Sequence, residues 1–260
     1  MAVKSTLKFS STDNSHFNGL LKNGDVLKTL PSMHKQDWYT AKLTLEDRKI
    51  NPSPCPVFLG HSLVYYFYGK PSYFVANNIG ARGDNIYYPV CYIIDTECIE
   101  IEKVFPFDSG AFAFDLFTGF IHKLMDINEF SIKPHISQIK AFIKTFYDTN
   151  ENYYRGFPKC DINTLSNDEI VSSYINIINN KGEENFDERC SSIEIISKHS
   201  LDLNASLEAI VVPNDFAVSN ENINHLKNNG VKVITYDTFG GSPGSYNAVV
   251  RQLVYDYLFK

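Results

Sequence analysis

The sequence predicts an α+β fold in which strands dominate both ends of the chain and helices dominate its middle. The chain has 260 residues, of which 43% are hydrophobic and 21% are charged, so it is long and apolar enough to bury a core. Short β-branched and aromatic stretches recur before residue 105 and after residue 190, whereas apolar residues at helical spacing fill the part between them. We therefore expect one α+β domain over residues 1–260, with a helical insertion at residues 111–180.

The first third of the chain predicts short elements separated by turns. Thr6–Ser10 has the pattern of a strand, Asp13–Lys22 that of a short helix, and Val26–Leu27 that of another short strand. Residues 31–56 contain four prolines and little periodicity, which predicts an irregular segment around a helix at Thr40–Arg48.

Strands and a helix are expected between residues 61 and 125. The apolar stretch His61–Tyr68 fits a helix or a strand, because periodicity does not separate the two over so few residues. Tyr87–Asp95 and Ile99–Val104 predict two strands joined by a turn. A helix is predicted to begin after Gly110 and to end near Met125.

Two further helices are predicted in the middle of the chain. The first has apolar residues at i, i+3 and i+4 spacing, namely Ile136, Ile139, Phe142, Ile143 and Phe146. The second spans Asn167–Asn179, where Ser166 is the expected N-cap and Glu169 stands three residues later, the spacing of a capping box.

The last third of the chain returns to strands. Ser191–Ile196, Leu207–Val212 and Val231–Tyr236 are rich in β-formers, and Asn222–Asn229 is a short helix ended by a glycine. A terminal helix is predicted from one apolar stripe, made of Tyr246, Val249, Val250, Leu253, Tyr257 and Leu258.

Charge and cysteine usage disfavour several classes of protein. The chain has 24 Lys+Arg against 30 Asp+Glu, a net charge of −6 without a basic run, which disfavours non-specific nucleic-acid binding by the whole surface. The five cysteines form no CxxC pair and the histidines no HExxH motif, so we expect reduced thiols and no metal site. No apolar segment approaches 18 residues, so we expect a cytoplasmic protein without a membrane partner.

The segment Arg189–Ile195 carries the first candidate site residues. In a strand that begins near Ser191, the side chains of Ser192 and Glu194 point to one face and the isoleucines to the other. This pattern suits a sheet that lines a cleft. It equally suits an exposed strand with a surface Arg–Glu pair worth about 0–1 kcal/mol.

A second acidic residue, Glu208, leads the apolar strand that ends at Pro213. An unpaired dry carboxylate costs several kcal/mol, so Glu208 lies at a solvated end of the strand or has a function. In the segment Phe105–Phe112, Asp108 or Ser109 is expected to cap the following helix, and the same helix start is a place where a phosphate can bind.

The tyrosine-rich segment Tyr65–Tyr73 is the most distinctive part of the aromatic composition, which reaches 14% of the chain. Flat aromatic rings stack on nicotinamide or a nucleobase, each stack being worth about 1–3 kcal/mol. Rings in such a cluster also pack in protein cores without any ligand.

Together these segments resemble the ADP-ribosyltransferase fold. The opening residues Leu7–Asn14 and Leu20–Gly24 are similar to the first strand and helix of DarT-like DNA-modifying toxins, and Glu208–Pro213 is similar to the strand led by the family's catalytic Glu. The chain also resembles a family of uncharacterised bacterial proteins with FYGRPAYR-like, FPFDSGAF-like and RxSAIEV-like segments. Here these are Tyr68–Tyr73, Phe105–Phe112 and Arg189–Ile195.

The resemblance implies an ADP-ribosyltransferase-like mixed or antiparallel sheet and an enzyme that transfers ADP-ribose from NAD to DNA, RNA or protein. It implies a bacterial toxin or phage-defence effector, with an antitoxin or immunity protein as a further partner. Glu194 or Glu208 is the implied catalytic residue. The implied NAD-contacting residues are Ser10, Tyr68, Tyr73, Asp108, Arg189 and Ser192.

One position departs from the family pattern. Lys8 stands where the family has a His that holds the NAD ribose, and His34 and His61 are the candidates to replace it. The alternative hypothesis is therefore a non-catalytic nucleotide-sensing or nucleotide-binding module on the same fold. A third hypothesis, a nuclease, requires clustered carboxylates and a metal ion.

Overall fold

A computed structural model describes residues 7–10, 15–73, 85–117, 119–160, 168–179 and 188–260. The chain divides into two compact units, each built from three separate segments. Unit 1 comprises residues 1–29, 52–65 and 100–198, and unit 2 comprises residues 30–51, 66–99 and 199–260.

The described residues form ten strands and nine α-helices. The strands are β1 (Ser32–Asp37), β2 (Lys49–Ile50), β3 (Ser53–Pro54), β4 (Ser62–Tyr68), β5 (Pro89–Ile94), β6 (Lys103–Phe105), β7 (Glu194–Ser197), β8 (Leu201–Asp202), β9 (Leu207–Pro213) and β10 (Lys232–Tyr236). The helices are α1 (Trp38–Asp47), α2 (Ser109–Ala113), α3 (Ile136–Phe146), α4 (Asn150–Arg155), α5 (Glu169–Asn179), α6 (Leu203–Ser206), α7 (Asn214–Ser219), α8 (Glu221–Asn228) and α9 (Tyr246–Phe259).

Unit 2 is built on a mostly antiparallel sheet in the order β10-β9-β5-β1-β4. Strand β1 pairs antiparallel with β4 and β5, β5 pairs antiparallel with β9, and β10 is parallel to β9. Strands β2 and β8 form a separate antiparallel pair. The central strand β5 is buried along its whole length, which explains why its sequence is continuously apolar.

Unit 1 combines a small sheet with the helical segment of the chain. Strand β7 lies between β4 and β6, and β3 pairs with β4. The residues of β4 up to Tyr65 belong to unit 1 and the later ones to unit 2. The described part of residues 111–180 contains α3, α4, α5 and the end of α2, and Ile132 forms an isolated bridge with Val104. The α+β class and the mostly antiparallel sheet that the sequence predicted are thus present.

The predicted stripe of α3 is confirmed and forms the core of unit 1. Ile139, Phe142, Ile143 and Phe146 are all buried. The rings of Phe142 and Phe146 contact Phe17 and Tyr174 with centroid separations between 5.2 and 5.7 Å. Such tilted and edge-to-face pairs add to the free energy of burying apolar area.

Helix α5 is confirmed as well, with a different cap from the one expected. Asp168 Oδ1 accepts hydrogen bonds from the backbone N–H groups of Ile170 and Val171, at 2.9 and 3.2 Å. The predicted cap Ser166 lies outside the described residues.

Two local predictions are wrong. The helix that begins at Ser109 ends at Ala113 instead of near Met125, because Asp115 and Gly119 adopt positive φ angles of 55° and 94°. Residues 31–56 are not irregular, since they contain β1 as well as α1, which corresponds to the predicted helix at Thr40–Arg48.

The start of the chain also differs from its prediction. Residues 7–10 form no strand, residues 16–20 are turns, and Val26–Leu27 lies in a turn followed by a bend. Thr6 and Asp13 lie outside the described residues. The ambiguous stretch His61–Tyr68 is the strand β4. The later elements β7, β9, α8, β10 and α9 follow the predicted order. No helix within the described ranges is long and apolar enough to cross a bilayer.

Candidate functional site

Glu194 is the first residue of β7 and lies opposite Phe105 of β6. Its side chain belongs to a strand that is buried on both faces, and the residue is only 2% exposed. The strand was predicted to begin near Ser191, but residues 188–191 form a 3-10 helix and the strand begins only at Glu194. All four of its residues are buried, so Glu194 is closed in rather than open to a cleft or to bulk solvent. A buried carboxyl requires hydrogen-bond partners, and these come from the start of α2.

Ser109, the first residue of α2, contacts the Glu194 carboxyl. Its backbone N–H donates to Glu194 Oε2 at 3.2 Å. Its hydroxyl is buried and makes no hydrogen bond of normal geometry within the described residues, although it is near enough to lower the pKa of Glu194. The carboxyl therefore receives one well-formed hydrogen bond and one weaker polar contact.

Asp108 is the N-cap of α2, which confirms the predicted capping role. Its Oδ1 accepts from the Ala111 backbone N–H at 2.8 Å, and its Oδ2 lies 3.7 Å from Arg189 Nη1. Asp108 is 5% exposed, whereas the Arg189 side chain is 22% exposed. Arg189 is thus the member of the group that contacts solvent.

The Arg189 backbone joins two of the segments that resemble family motifs. Its carbonyl accepts from the backbone N–H of Asp108 at 3.2 Å and from that of Ser192 at 3.4 Å. Ser192 is fully buried. The segments Phe105–Phe112 and Arg189–Ile195 therefore meet at Glu194.

The two carboxyl groups have different environments. Burial raises the pKa of Glu194 well above its usual range, and the neighbouring Asp108 charge raises it further, while the contacts with Ser109 oppose both effects. Burial and the Asp108 charge thus both favour the protonated form of Glu194. A carboxyl whose protonated form is favoured, beside a carboxylate that pairs with Arg189, is the arrangement of a general acid and a charged stabilising group.

Cys55 and Tyr65 complete this group of residues, and sequence reasoning did not find Cys55. The distance from Cys55 Sγ to Tyr65 Oη is 2.6 Å. Burial raises the pKa of Tyr65, and the neighbouring Glu194 and the hydrogen bond with Cys55 raise it further, so the phenol keeps its proton. The sequence signals were a cysteine between two prolines and a tyrosine at the start of the tyrosine-rich segment. We call Cys55, Tyr65, Asp108, Ser109, Arg189 and Glu194 the Glu194 cluster.

Glu208 has a different environment in unit 2. It is exposed, and its Oε2 accepts from the Tyr257 hydroxyl at 3.0 Å. The pairing register between β5 and β9 shifts at Ile93 and Ile94, which leaves Glu208 as the extra residue of a β-bulge. Glu208 is thus at a solvated place on its strand, and the geometry favours Glu194 as the carboxyl with a perturbed environment.

The two predicted stacking tyrosines differ in exposure. Tyr68 is fully buried and its hydroxyl accepts from the Leu30 backbone N–H at 2.9 Å, so neither face of its ring is open to a ligand. Tyr73 is 50% exposed. Both belong to unit 2, so of these two rings Tyr73 is the one that a ligand can reach.

The remaining predicted residues lie in irregular segments or among aromatic rings. Ser10 is half-buried in the irregular segment 7–10 of unit 1, and Lys8 is exposed there. The His61 ring is 5.0 Å from the Phe9 ring in unit 1. The His34 ring is 5.7 Å from the Tyr66 ring in unit 2.

A groove of about 760 Å³ lies beside the C-terminal end of α2 in unit 1. Its walls include the aromatic rings of Phe112 and Phe120 and the basic side chains of Lys8 and Lys123. This volume is within the range of small-molecule sites. In the part of the chain that is described, no three His, Cys, Asp or Glu side chains gather closely enough to bind a metal ion.

Comparisons with protein-family models, with curated proteins and with solved structures give no match for this chain.

Proposed function

We propose that this protein is an NAD-dependent ADP-ribosyltransferase in which Glu194 is the catalytic carboxyl. The observation that supports this proposal best is the meeting of Phe105–Phe112 with Arg189–Ile195, which surrounds Glu194 with Ser109, Asp108 and Arg189. The acceptor is DNA, RNA or protein. A role as a toxin or phage-defence effector, with an antitoxin or immunity protein as partner, rests on the same family resemblance.

The chemistry requires a negative charge next to the ribose. When the bond between nicotinamide and ribose breaks, positive charge develops on the ribose, and a preorganised carboxylate stabilises it. Burial beside Asp108 favours the protonated form of Glu194 in the free protein. The nicotinamide ring of NAD carries a positive charge, which favours the ionised form of a nearby carboxyl. Binding of NAD is therefore expected to release the Glu194 proton.

The groove beside α2 offers contacts for the rest of NAD. Helix α2 begins next to Asp108, and Phe112 near its other end lines the groove, so the two are separated by about 6 Å along the helix axis. The phenyl rings can stack on the adenine, and Lys8 and Lys123 can pair with the diphosphate. Arg189, held by Asp108, supplies a planar guanidinium for the same phosphates.

The decisive experiment is NAD consumption by the wild type, Glu194→Gln and Glu208→Gln. Gln has nearly the shape of a protonated Glu but cannot ionise, so Glu194→Gln is expected to lower turnover by about 100-fold or more. Glu208→Gln is the matched control on an exposed strand residue and is expected to leave turnover unchanged. Equal turnover in all three proteins would rule out the proposal. Radiolabelled NAD added to a bacterial lysate then shows whether the label enters protein, DNA or RNA.

A second candidate function is a module that binds NAD without turnover. The observation that favours it is the closure of the site, since Glu194 is 2% exposed and Asp108 is 5% exposed. Calorimetry separates the two candidates: heat of NAD binding with proton uptake by the buffer, but without nicotinamide release, supports the binding module. Absence of binding heat would exclude both.

A further inference from the structure

Ser109 is the buried serine of the Glu194 cluster, and its hydroxyl differs from those of other buried serines. The hydroxyls of Ser131 and Ser206 each donate to a backbone carbonyl, at 2.8 and 2.7 Å. Ser109 is 1% exposed, and its hydroxyl makes no regular hydrogen bond among the described residues. Buried polar groups nearly always have a partner, so this exception calls for a physical explanation.

The backbone that carries Ser109 is held in place by its neighbours. The Asp108 backbone N–H donates to the Arg189 carbonyl at 3.2 Å, and the Asp108 Oδ1 accepts from the Ala111 backbone N–H at 2.8 Å. Rotation about the Ser109 Cα–Cβ bond still changes the direction of the hydroxyl, because a serine side chain has three staggered positions. The hydroxyl can therefore turn without any movement of the helix start.

The Glu194 carboxyl needs different partners in its two protonation states. A protonated carboxyl has an O–H donor of its own, whereas a buried carboxylate only accepts and is stabilised by two or three donors. The Ser109 backbone N–H supplies one donor, 3.2 Å from Oε2. Burial raises the pKa of Glu194, and the nearby Ser109 hydroxyl lowers it. This hydroxyl is thus a second donor already placed beside the carboxyl that becomes charged.

The other titratable and charged groups on the elements around Glu194 are Asp108 at the start of α2, Arg189 in the 3-10 helix 188–191, Lys103 on β6, Cys55 before β4 and Tyr65 on β4. Beyond burial, Asp108 and then Cys55 raise the pKa of Glu194 further, so neither favours its ionisation. The Tyr65 hydroxyl lies 2.6 Å from Cys55 Sγ. Arg189 Nη1 lies 3.7 Å from Asp108 Oδ2, and Lys103 Nζ donates to Asn128 Oδ1 at 3.1 Å. Each of these donors is thus engaged by another group, whereas the Ser109 hydroxyl has no such regular partner in the described ranges.

We propose that Ser109 is a positioning residue whose hydroxyl turns to donate to Glu194 when that carboxyl ionises. The backbone N–H and the hydroxyl of one residue then hold the carboxylate in one orientation. The consequence for catalysis rests on the proposed function: a carboxylate with both donors forms more readily when NAD binds and stays preorganised as charge develops on the ribose. The ionisation itself is a property of the free protein, so it can be measured without NAD.

The test follows the ionisation of Glu194 in the free protein. Glutamate labelled with carbon-13 at the side-chain carboxyl gives one NMR signal per residue, and the signal that is missing in Glu194→Gln identifies Glu194. Ser109→Ala is expected to raise the pH of the titration midpoint by about one unit, because a hydrogen bond to a charged group is lost. An unchanged or lower midpoint would overturn the proposal. So would a wild-type Glu194 that never ionises in the pH range in which the protein is folded.

Two further variants separate the hydroxyl from packing. Ser109→Thr keeps a hydroxyl and is expected to titrate with the wild-type midpoint. Ser131→Ala removes another buried hydroxyl of unit 1, one that already donates to a backbone carbonyl, and is expected to leave the midpoint of Glu194 unchanged. An equal rise of the midpoint in Ser131→Ala would assign the effect to general destabilisation and refute the role of Ser109.

NAD consumption separates the role of Ser109 from the proposed function. If both hold, Ser109→Ala moves the acid limb of the pH profile of kcat/KM to higher pH and lowers turnover at neutral pH about ten-fold. A raised Glu194 midpoint in Ser109→Ala, together with no NAD consumption by the wild type, would refute the proposed function alone. NAD consumption by the wild type, together with an unchanged midpoint in Ser109→Ala, would refute the role of Ser109 alone.

Discussion

Asp108 and Arg189 contact each other at two points. The Asp108 backbone N–H donates to the Arg189 carbonyl at 3.2 Å, and the Asp108 Oδ2 lies 3.7 Å from Arg189 Nη1. Because Asp108 Oδ1 also caps α2, one carboxylate fixes the start of a helix and the position of a guanidinium. The capping role and the charge role can be separated by mutation.

Asp108→Asn is expected to keep the cap and remove the charge, because Asn and Asp are comparable N-cap residues. Asp108→Ala is expected to lose both and to lower the free energy of unfolding by about 1 kcal/mol more than the Asn variant. Urea denaturation at neutral pH measures the difference. Equal losses in the two variants would show that the cap contributes nothing.

Glu194→Gln is expected to change the pH dependence of stability. The pKa of Glu194 is raised in the folded protein, so the folded state retains a proton that the unfolded state loses as the pH rises above about 4.5. The contribution of this group is therefore complete in acid and declines as the pH rises toward the folded pKa. Unfolding measured from pH 5 to 8 should show a growing advantage of Glu194→Gln over the wild type. Glu208→Gln, a change at an exposed residue, is the control and should follow the wild type. Parallel plots of the free energy of unfolding against pH for all three proteins would contradict the prediction.

Lys35 on β1 is expected to make the free energy of unfolding rise with pH, opposite to the effect of Glu194. Burial, and secondarily the Arg251 charge, lower the pKa of Lys35 from 10.5 to about 7, while its Nζ donates to the Pro71 carbonyl at 3.0 Å. Above pH 7 the unfolded chain holds a proton that the folded protein has released, so this group makes unfolding less favourable as the pH rises. Stability should gain about 2 kcal/mol between pH 7 and 9 from this group.

The measurement for Lys35 is urea denaturation of Lys35→Met between pH 6 and 9. The variant is expected to lose that gain, while Lys49→Met, at an exposed position of β2, keeps the wild-type slope. A wild-type slope in Lys35→Met would show that the lysine does not titrate in this range.

Gly24 is predicted to tolerate no side chain. A Cβ at this position would overlap the backbone of Lys140 and Ala141 in α3, and backbone atoms cannot move aside as a flexible side chain does. Gly24→Ala should therefore lower the free energy of unfolding by several kcal/mol, and the midpoint of thermal unfolding falls with it. Gly19→Ala, where a Cβ meets open space, is the control and should unfold close to the wild type. Tolerance of Gly24→Ala would mean that the contact with α3 is loose.

The elements that the sequence predicted correctly are those whose signal is local. Helix α3 has an apolar stripe within one segment, and that stripe is buried. Strand β1 was missed because its polar sequence becomes a strand only through pairing with β4 and β5. Its buried Ser32 hydroxyl, for example, pairs with Thr96 Oγ1 at 2.8 Å, a contact between residues far apart in the chain.

The same distinction applies to the candidate site. Asp108, Arg189 and Glu194 lie in short segments whose composition already pointed to them. Cys55 and Tyr65 could not be assigned to Glu194 in advance, because their proximity depends on the pairing of β3 with β4 and of β6 with β7. Isolated residue types carry no information about such long-range neighbours.

The interleaving of the two units has a consequence for synthesis on the ribosome. The chain passes from one unit to the other after residues 29, 51, 65, 99 and 198. Unit 1 is therefore incomplete until residue 198 has been made, and unit 2 is incomplete until residues 199–260 have been made. Neither unit is complete before residue 198, and most strand pairings join segments far apart in sequence. Nascent chains halted well before residue 198 should accordingly remain sensitive to protease along their whole length, and cutting the gene after residue 29, 51, 65 or 99 should not yield a folded half.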